Sequence, residues 1–419
     1  MDLFKSEVLN GFIDAISNFN TYHKTTIPLC AAENIMSPFS KLPLNSSLQE
    51  RYIMNGVEKY SIENNFIGSE YLHPFYELIN KQCNILFKST YSDARTLSGL
   101  NCITSVLMSL AKQGDTIMLS TPDCGGHPSI PDICCRLGLE IVEMPYNYDS
   151  YDFDYDAIND ILKSQKINMI VIAPSDIIFV PQLDKINTNE NNILVYDATQ
   201  TLGLIAGKII PNPLMQNENV ILIGGTHKTL PGPTCGLIMT RNSKLAEIID
   251  KTINPKYLRN TQMHQIASLL LTLIEMEYVG QDYQNKIVSN SNALGKVLEL
   301  HGFTVASANN IYSETHQIFI HLSKNLTDFF YRQAIYFGIT LNKKEKMLFR
   351  NTGLRLGSQE ITRYDWDICE IEIIGKIFSN ILKNRDKNET EHLIKSLVDK
   401  KQIFYCFDKT FVEFINNLL

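Results

Sequence analysis

The segment 221–240, ILIGGTHKTLPGPTCGLIMT, consists of two apolar runs of strand length joined by a turn rich in glycine and proline. Similar runs occur upstream at TIMLS (116–120), NMIVIAPS (168–175) and NILVYDA (192–198), with helix-like sequence between them. Several of these runs are apolar at nearly every position, which is typical of parallel strands covered by helices on both faces. The pattern predicts an α/β fold whose mostly parallel sheet spans about residues 85–245.

The sequence beyond Pro255 predicts a second, smaller α/β domain. A long helical pattern at 262–280 is followed by strand-like segments at 316–323 and 353–358, with a further helical pattern at 326–338 between them. A chain of 419 residues also exceeds what one hydrophobic core usually organises.

We therefore predict four parts: an N-terminal helical arm (1–27), a large domain (28–255), a small C-terminal domain (256–383) and a C-terminal helical extension (384–419). The extension opens with the charged run NRDKNETEH at 384–392, which we expect to be a linker before a packing helix.

The composition excludes several classes of protein. Hydrophobic residues make up 44% and charged residues 20% of the chain, which is typical of a folded globular protein. The net charge is −7 without a basic stripe, so nucleic acid is not an expected partner. The nine cysteines are scattered without a CxxC pair, which is typical of reduced thiols, and no metal site is predicted. Neither a signal peptide nor an apolar stretch of about 20 residues is recognisable, so we expect a cytoplasmic protein without a membrane partner.

Lys228 is the residue of the 221–240 segment that most needs an explanation. It does not fit a phosphate-binding P-loop, because His227 occupies the place where that motif requires glycine. The preceding strand-like run ends at Asp197, and open α/β sheets bind ligands at the carboxyl ends of their strands. An aspartate and a lysine on neighbouring strand ends fit pyridoxal phosphate, which needs a Schiff-base lysine and a carboxylate beside its pyridinium nitrogen. A surface lysine in a turn and a strand-capping aspartate are the alternatives.

Three weaker signals point to the same kind of site. Ser98-Gly99 precede a helical pattern whose N-terminus would attract a phosphate, although Ser98 could equally be an ordinary N-cap. His127 follows two glycines that would let the backbone approach a ligand, and it either stacks on a ligand ring or is structural. Arg355 lies in a short strand and either binds a substrate carboxylate or forms a structural ion pair. Arg363 is expected to form structural ion pairs.

Together these motifs resemble the serine hydroxymethyltransferase family of fold-type I pyridoxal phosphate enzymes. The resemblance covers roughly residues 28–380 and is most specific in VYDATQTLGLIAGKIIPNP (195–213) and THKTLPGP (226–233). It extends to GSEY (68–71) and GLRLGSQEITR (353–363).

The resemblance implies a role for each motif residue. Lys228 would form the Schiff base with pyridoxal phosphate, Asp197 would pair with the ring nitrogen and His127 would stack on the ring. Further cofactor contacts are implied for Ser98, Gly99, Ser175, Gln200 and Thr226. Arg355 would hold the substrate carboxylate. Tyr52 would reach into the site of a neighbouring subunit, which implies a homodimer, with a homotetramer as the alternative.

The chain also departs from the family pattern. Met54 or Asn55 stands where the family has a proton-handling glutamate; Glu58 is a possible substitute, but a surface carboxylate is favoured. The substrate-site positions Phe66 and Ala32 replace a tyrosine and a serine of the family, and Gln200 replaces a histidine. The paired glycines that receive the partner's phosphate are replaced near Arg259-Asn260.

These departures remove proton-handling groups and leave the Schiff-base machinery intact. We therefore predict folate-independent aldolase or transaldolase chemistry at the Cα–Cβ bond of glycine-, serine- or threonine-type amino acids, with an aldehyde co-substrate. Candidates for accepting the β-hydroxyl proton are His127, Glu58 and a bound water. The alternatives are a folate-dependent transferase, a racemase, transaminase or β-eliminating enzyme, and a non-catalytic cofactor-binding protein.

Overall fold

The computed structural model describes residues 6–53, 67–385 and 387–418. The described residues form the helices α1 (Glu7–Thr25), α2 (Pro38–Lys41), α3 (His73–Phe87), α4 (Gly99–Leu110), α5 (Ile130–Arg136), α6 (Tyr155–Ser164), α7 (Leu202–Ala206), α8 (Ser243–Thr252), α9 (Met263–Leu300), α10 (Lys324–Phe337), α11 (Gln359–Arg363), α12 (Ile368–Leu382), α13 (Lys387–Val398) and α14 (Lys409–Asn416). They form the strands β1 (Ile27–Pro28), β2 (Tyr91–Asp93), β3 (Thr116–Leu119), β4 (Glu140–Glu143), β5 (Tyr146–Asn147), β6 (Asp152–Phe153), β7 (Met169–Ile172), β8 (Ile193–Asp197), β9 (Val220–Gly225), β10 (Gly236–Thr240), β11 (Thr304–Val305), β12 (Gln317–His321), β13 (Ile339–Thr340), β14 (Asn342–Lys346) and β15 (Asn351–Gly357).

The largest sheet has seven strands in the order β2-β10-β9-β8-β7-β3-β4. The strands from β9 to β4 are parallel to one another, and β10 is antiparallel to both of its neighbours. Every residue of β7, β9 and β10 is buried, because helices cover both faces of the sheet and the strands carry mainly Val, Ile, Leu and Met. The predicted α/β fold with a mostly parallel sheet is confirmed.

A smaller antiparallel sheet has the order β11-β12-β15-β14. Its core contains residues of both central strands and of the helices α10 and α12, among them Ile318, Ile320, Phe330, Leu354, Leu356 and Phe378. The strands and the helix predicted for this part of the sequence are present as β12, β15 and α10.

The helix α9 is 38 residues long and belongs to both cores. Its residues from Met263 to Ile287 pack in the core of the large sheet. Leu294, Val297 and Leu298 pack in the core of the small sheet. At 1.5 Å per residue the helix is about 57 Å long, and this single element connects the two cores.

Two buried arginines are neutralised by carboxylates. Arg95 lies 2.6 Å from an oxygen of Asp93 and 2.6 Å from one of Asp250. Arg363 lies 3.4 Å from Glu275 and donates a hydrogen bond of 2.8 Å to the carbonyl of Tyr405. The predicted structural ion pair of Arg363 is confirmed.

The C-terminal extension differs from the expected linker. Helix α13 begins within the charged run, at Lys387, so the linker predicted over 384–392 is wrong. The charged side chains lie on one side of an amphipathic helix whose Thr390, Ile394 and Leu397 are buried. Beyond it, Phe407 and Phe411 pack on Phe39 at ring-centroid distances of 4.9 and 5.5 Å.

The helix α1 buries none of its residues, although it carries apolar side chains such as Val8 and Phe12, with exposures of 84% and 62%. All nine cysteine thiols are free. None of the helices in the described ranges combines the length and apolar character that a membrane crossing requires.

Candidate active site

Three of the predicted site residues lie at or just beyond one edge of the large sheet, where neighbouring parallel strands end. Ser175 follows β7, Asp197 ends β8 and Lys228 follows β9. In the register, Asp197 lies opposite Ile223 of β9. Because the carboxyl ends of parallel strands meet at one edge, the fold brings these side chains to the place where α/β sheets bind ligands.

The Lys228 amine has no carboxylate partner among the described residues, and its backbone carbonyl accepts a hydrogen bond from the Asn34 side chain. Burial and the charge of Arg355 lower the pKa of Lys228 to about 8, against the opposing effect of Asp197. A lysine with a lowered pKa has a larger uncharged fraction near neutral pH, and the uncharged amine is the nucleophile.

Asp197 is buried, with 6% of its surface exposed. Its Oδ1 accepts a hydrogen bond of 2.8 Å from the backbone amide of Thr199. Burial raises the pKa of Asp197, while the hydrogen bonds from Thr199 and the charge of Lys228 act against it. The carboxylate is therefore held in place and is available to a cationic partner.

His127 is half-buried after β3, and its backbone amide donates to the Ala173 carbonyl at 2.9 Å. Its Nδ1 accepts a hydrogen bond of 3.3 Å from the Ser129 amide, which assigns the proton of the neutral ring to Nε2. Burial lowers the pKa of His127, and Asp197 opposes this shift. The ring is therefore neutral near pH 7 and presents an N–H donor at Nε2.

The two glycines before His127 have a structural role that the sequence analysis did not predict. Gly125 has a φ of +92°, and a Cβ there would collide with the Asp176 carbonyl oxygen. A Cβ at Gly126 would collide with the Ser120 carbonyl oxygen. The glycines thus allow two backbone segments to approach each other, and the expected close approach to a ligand stays a prediction.

The residues predicted to cradle a phosphate lie around the N-terminus of α4. The hydroxyl of Ser98 is the N-cap and accepts from the Asn101 amide at 3.2 Å. A Cβ at Gly99 would collide with the Thr199 hydroxyl and would lie 3.0 Å from the Gly225 amide nitrogen. The Thr226 hydroxyl is turned into the following loop, where it donates to the Pro233 carbonyl at 2.6 Å.

A phosphate-bearing group fits this cradle. The first amides of a helix attract anions, and the crowding around Gly99 leaves room only for backbone there. The Nδ1 of His227 is buried and, within the described residues, has no hydrogen-bond partner. The ring of His227 would lie 3.4 Å from a Cβ placed on Gly225, so this unpaired nitrogen belongs to the same cradle.

Arg355 on β15 reaches the sheet edge from the small sheet. Its Nη1 donates to the Ser175 carbonyl and to Asp176 Oδ1, both at 2.7 Å. Its Nε and Nη2 donate to Asn342 Oδ1 at 3.1 and 2.7 Å. The structural ion pair is therefore present, and of the five guanidinium N–H groups one on Nη2 is left for a ligand.

Asp176 was missed by the sequence analysis, although it directly follows Ser175. It is buried and also lies 2.8 Å from the Lys344 amine and 2.7 Å from the Lys346 amine. Burial alone would raise the pKa of Asp176, but Arg355 and the two lysines lower it to about 2. Lys344 and Lys346 stand at alternate positions of the sequence, which indicates that both side chains lie on one face of a strand but does not identify the carboxylate that they contact.

Gln317 was also missed, and it connects several site residues. Its Nε2 donates to Gln200 Oε1 at 2.9 Å and to the Ser175 carbonyl at 3.1 Å, and its Oε1 accepts from the Ile177 amide at 3.1 Å. Gln200 is thereby fixed at the position where the resembled family has a histidine.

Ala32 is half-buried and lies two residues after Cys30 in the sequence. The sulfur of Cys30 accepts a hydrogen bond of 3.5 Å from the side chain of Asn342, which also contacts Arg355.

The remaining predicted residues are not part of this cluster. Tyr52 is 37% exposed beside the undescribed segment 54–66. Phe66, together with the candidates Met54, Asn55 and Glu58, lies outside the described residues. Arg259 and Asn260 are exposed.

Comparison with known proteins gives a consistent result. The family model described as serine hydroxymethyltransferase matches residues 7–378. The serine hydroxymethyltransferase of Pyrobaculum aerophilum is 29% identical over 413 residues, which cover 94% of this chain and 95% of the relative. That of Saccharolobus islandicus is 29% identical over 414 residues, covering 93% and 92%. A crystal structure of L-threonine transaldolase from Pseudomonas fluorescens, in its internal aldimine state, matches the fold with a TM-score of 0.90 at 21% identity, covering 98% of this chain and 97% of that one.

Proposed function

The chain belongs to the serine hydroxymethyltransferase family, and we propose that it makes or breaks the Cα–Cβ bond of β-hydroxy amino acids by a folate-independent aldolase or transaldolase reaction. The observation that carries the proposal is the buried Lys228 amine, which has no carboxylate partner within the described ranges, at the sheet edge where the buried Asp197 lies and that Arg355 reaches. The transaldolase activity named for the protein of the same fold belongs to this class of reaction and supports the proposal.

The residues fit pyridoxal phosphate as the cofactor. The cradle at Gly99 and His227 would hold the phosphate, Lys228 would hold the aldehyde carbon and Asp197 would keep the ring nitrogen protonated. The bound cofactor supplies an electron-withdrawing ring that stabilises negative charge at Cα after a substrate bond breaks. The neutral imidazole of His127, which presents an N–H donor, would lie beside the pyridine ring of the cofactor.

The substrate carboxylate would bind Arg355, through the free N–H on Nη2. Asn342, the Ser175 carbonyl and Asp176 fix the guanidinium plane, so the position of this donor is set before a ligand arrives. A fixed carboxylate orients the Cα–Cβ bond, which is the positioning that the reaction requires.

Three side chains support independence from folate. Gln200 is held by Gln317 and, being an amide, cannot transfer protons as an imidazole does. Ala32 has no hydroxyl. His127 carries its proton on Nε2 and is for that reason a hydrogen-bond donor at that atom rather than a base. Loss of a general acid or base costs about 10²- to 10⁴-fold in rate, which disfavours reactions that depend on one.

The test is incubation of the holoenzyme with L-threonine, with and without tetrahydrofolate. Release of acetaldehyde and glycine that does not depend on folate is expected, and an added second aldehyde should yield a new β-hydroxy amino acid. Cleavage of serine only in the presence of tetrahydrofolate would restore the folate-dependent assignment. A keto acid as the sole product would contradict bond cleavage at Cα–Cβ.

We further propose that the enzyme is a cytoplasmic homodimer. The unburied apolar residues of α1 and the exposed Tyr52 support a second copy as a partner, and nine free thiols fit a reducing compartment. Light scattering coupled to gel filtration tests the dimer, and a monomeric mass would refute it.

A further inference from the structure

A pair of lysines, Lys344 and Lys346, contacts the same carboxylate as Arg355, that of Asp176. Both lie on β14, which pairs with β15 so that Asn342 is opposite Arg355. Because side chains alternate along a strand, the lysine pair and Asn342 share one face, while Lys343 lies on the other and pairs with Asp328 and Glu345. The lysine pair is therefore directed to Asp176 by the register of the strand.

The charges around Asp176 do not balance. One carboxylate faces three cationic groups, Arg355 at 2.7 Å, Lys344 at 2.8 Å and Lys346 at 2.7 Å. The buried Arg95 has the opposite arrangement, with two carboxylates around one cation. Burying unpaired charge is costly, so a cluster with two surplus positive charges is suited to receiving anions.

The lysine pair lies close to the catalytic residues. The charge of Lys344, like that of Arg355, contributes to the lowered pKa of Lys228. The Lys346 amine donates at 3.0 Å to the Pro122 carbonyl, in the turn that leads to His127. The lysine side chains keep 19% and 16% of their surface exposed, so a ligand can reach them.

We propose that Lys344 and Lys346 bind a second acidic group of the substrate, carried beyond Cβ, so that the enzyme acts on acidic β-hydroxy amino acids. The inference rests on the proposed function, which assigns the α-carboxylate to Arg355. The α-carboxylate of the substrate then neutralises one of the two surplus positive charges, and the second acidic group neutralises the remaining one. A carboxylate and a phosphate share the required chemistry, since both accept charge-assisted hydrogen bonds from ammonium groups.

The reaction balances without a further reactant. In 3-hydroxyaspartate the Cα–Cβ bond would break, the β-hydroxyl would lose its proton and Cα would gain one. The products would be glycine and glyoxylate. With a phosphate ester on the carbon after Cβ in place of the second carboxylate, the products would be glycine and a phosphorylated aldehyde.

The first test measures binding to the holoenzyme by calorimetry and needs no turnover. Butyrate, succinate and 3-phosphonopropionate have chains of similar length and differ in the terminal group. We expect succinate, 3-phosphonopropionate or both to bind at least about tenfold more tightly than butyrate. A preference for one of the two acids identifies the second acidic group as carboxylate or phosphate. Equal affinity for all three would overturn the inference.

The second test assigns the preference to the lysine pair. K344Q and K346Q should each reduce the preference for the diacid, and the double variant should abolish it, with thermal melting as the check of folding. K343Q is the matched control, because Lys343 lies on the opposite face of the same strand. A preference that survives in the double variant, or that K343Q abolishes equally, would overturn the inference.

The third test compares kcat/KM for 3-hydroxyaspartate with that for threonine, and the acidic substrate should be favoured at least about tenfold. Absence of cleavage for every amino acid would refute the proposed function alone, because the binding preference still decides the role of the lysine pair.

Discussion

Replacing Asp176 with asparagine removes the single negative charge shared by three basic side chains, and we expect it to destabilise the fold. The lowering of the Asp176 pKa from 3.8 to about 2 corresponds to roughly 2 kcal/mol. The variant also leaves three neighbouring cations without a counter-charge. The expected total loss at neutral pH is about 3–5 kcal/mol, the range for breaking a buried ion pair.

The pH dependence of this loss follows from the direction of the shift. Because the pKa of Asp176 is lower in the folded protein, its stabilising effect is complete above the unfolded pKa near 4 and disappears as the pH falls through about 2. The stability difference between wild type and D176N should therefore be constant from pH 7 to pH 5. At pH 3, about half of the roughly 2 kcal/mol that depends on ionisation of Asp176 should be lost.

Urea denaturation at constant ionic strength, over this pH range, measures the difference. D328N is the matched control, because Asp328 pairs with Lys343, which lies on the opposite face of β14 from Lys344 and Lys346. The side chains of this pair keep 29% and 33% of their surface exposed, so its loss should have little effect. Equal stability of D176N and wild type at pH 7, or a difference that does not shrink towards pH 3, would refute the reasoning.

Three further outcomes test the site. In the cofactor-free protein, the rate at which Lys228 reacts with an aldehyde reagent should rise with pH around a pKa of about 8. D197N should shift this pH profile to lower pH, because the carboxylate of Asp197 raises the pKa of the amine. An unchanged pH profile would contradict the electrostatic interaction between Lys228 and Asp197. G99A should weaken pyridoxal phosphate binding at least about tenfold, measured by absorbance titration, because the added methyl group collides with the Thr199 hydroxyl and displaces the helix N-terminus that forms the cradle. G11A, where a Cβ meets nothing within 4 Å, should bind normally. Q317A should cost about 2–4 kcal/mol of stability, measured by denaturant unfolding, because buried groups lose three hydrogen bonds, and a loss below 1 kcal/mol would count against that network.

Much of the fold was predictable because apolar runs without alternation are a local property. The runs before Ser175, Asp197 and Lys228 each became a parallel strand of the fold-type I architecture. The charged run at 384–392 was wrongly predicted to be a linker, because the apolar residues Ile394 and Leu397 that anchor this helix come later in the sequence.

The site was predictable where its residues follow strands and unpredictable where they meet from distant segments. Lys228, Asp197 and Ser175 come to one edge because parallel strands end together. Asp176, by contrast, acquires its role from Lys344 and Lys346, more than 160 positions further along the chain. Only the register of β14 against β15 determines which lysines face the carboxylate, and no local pattern specifies that register.

The length of α9 has a mechanical consequence for catalysis. A continuous helix anchored in both cores resists bending, so Arg355 and the lysine pair could leave the contacts that they make with Ser175 and Asp176 only if the small sheet rotated about the helix axis or the helix bent along its exposed stretches. Any such rotation would carry the guanidinium and both ammonium groups together, because all three project from the same antiparallel sheet. The two groups proposed to bind an acidic substrate would therefore keep a constant spacing, whatever movement the small sheet makes.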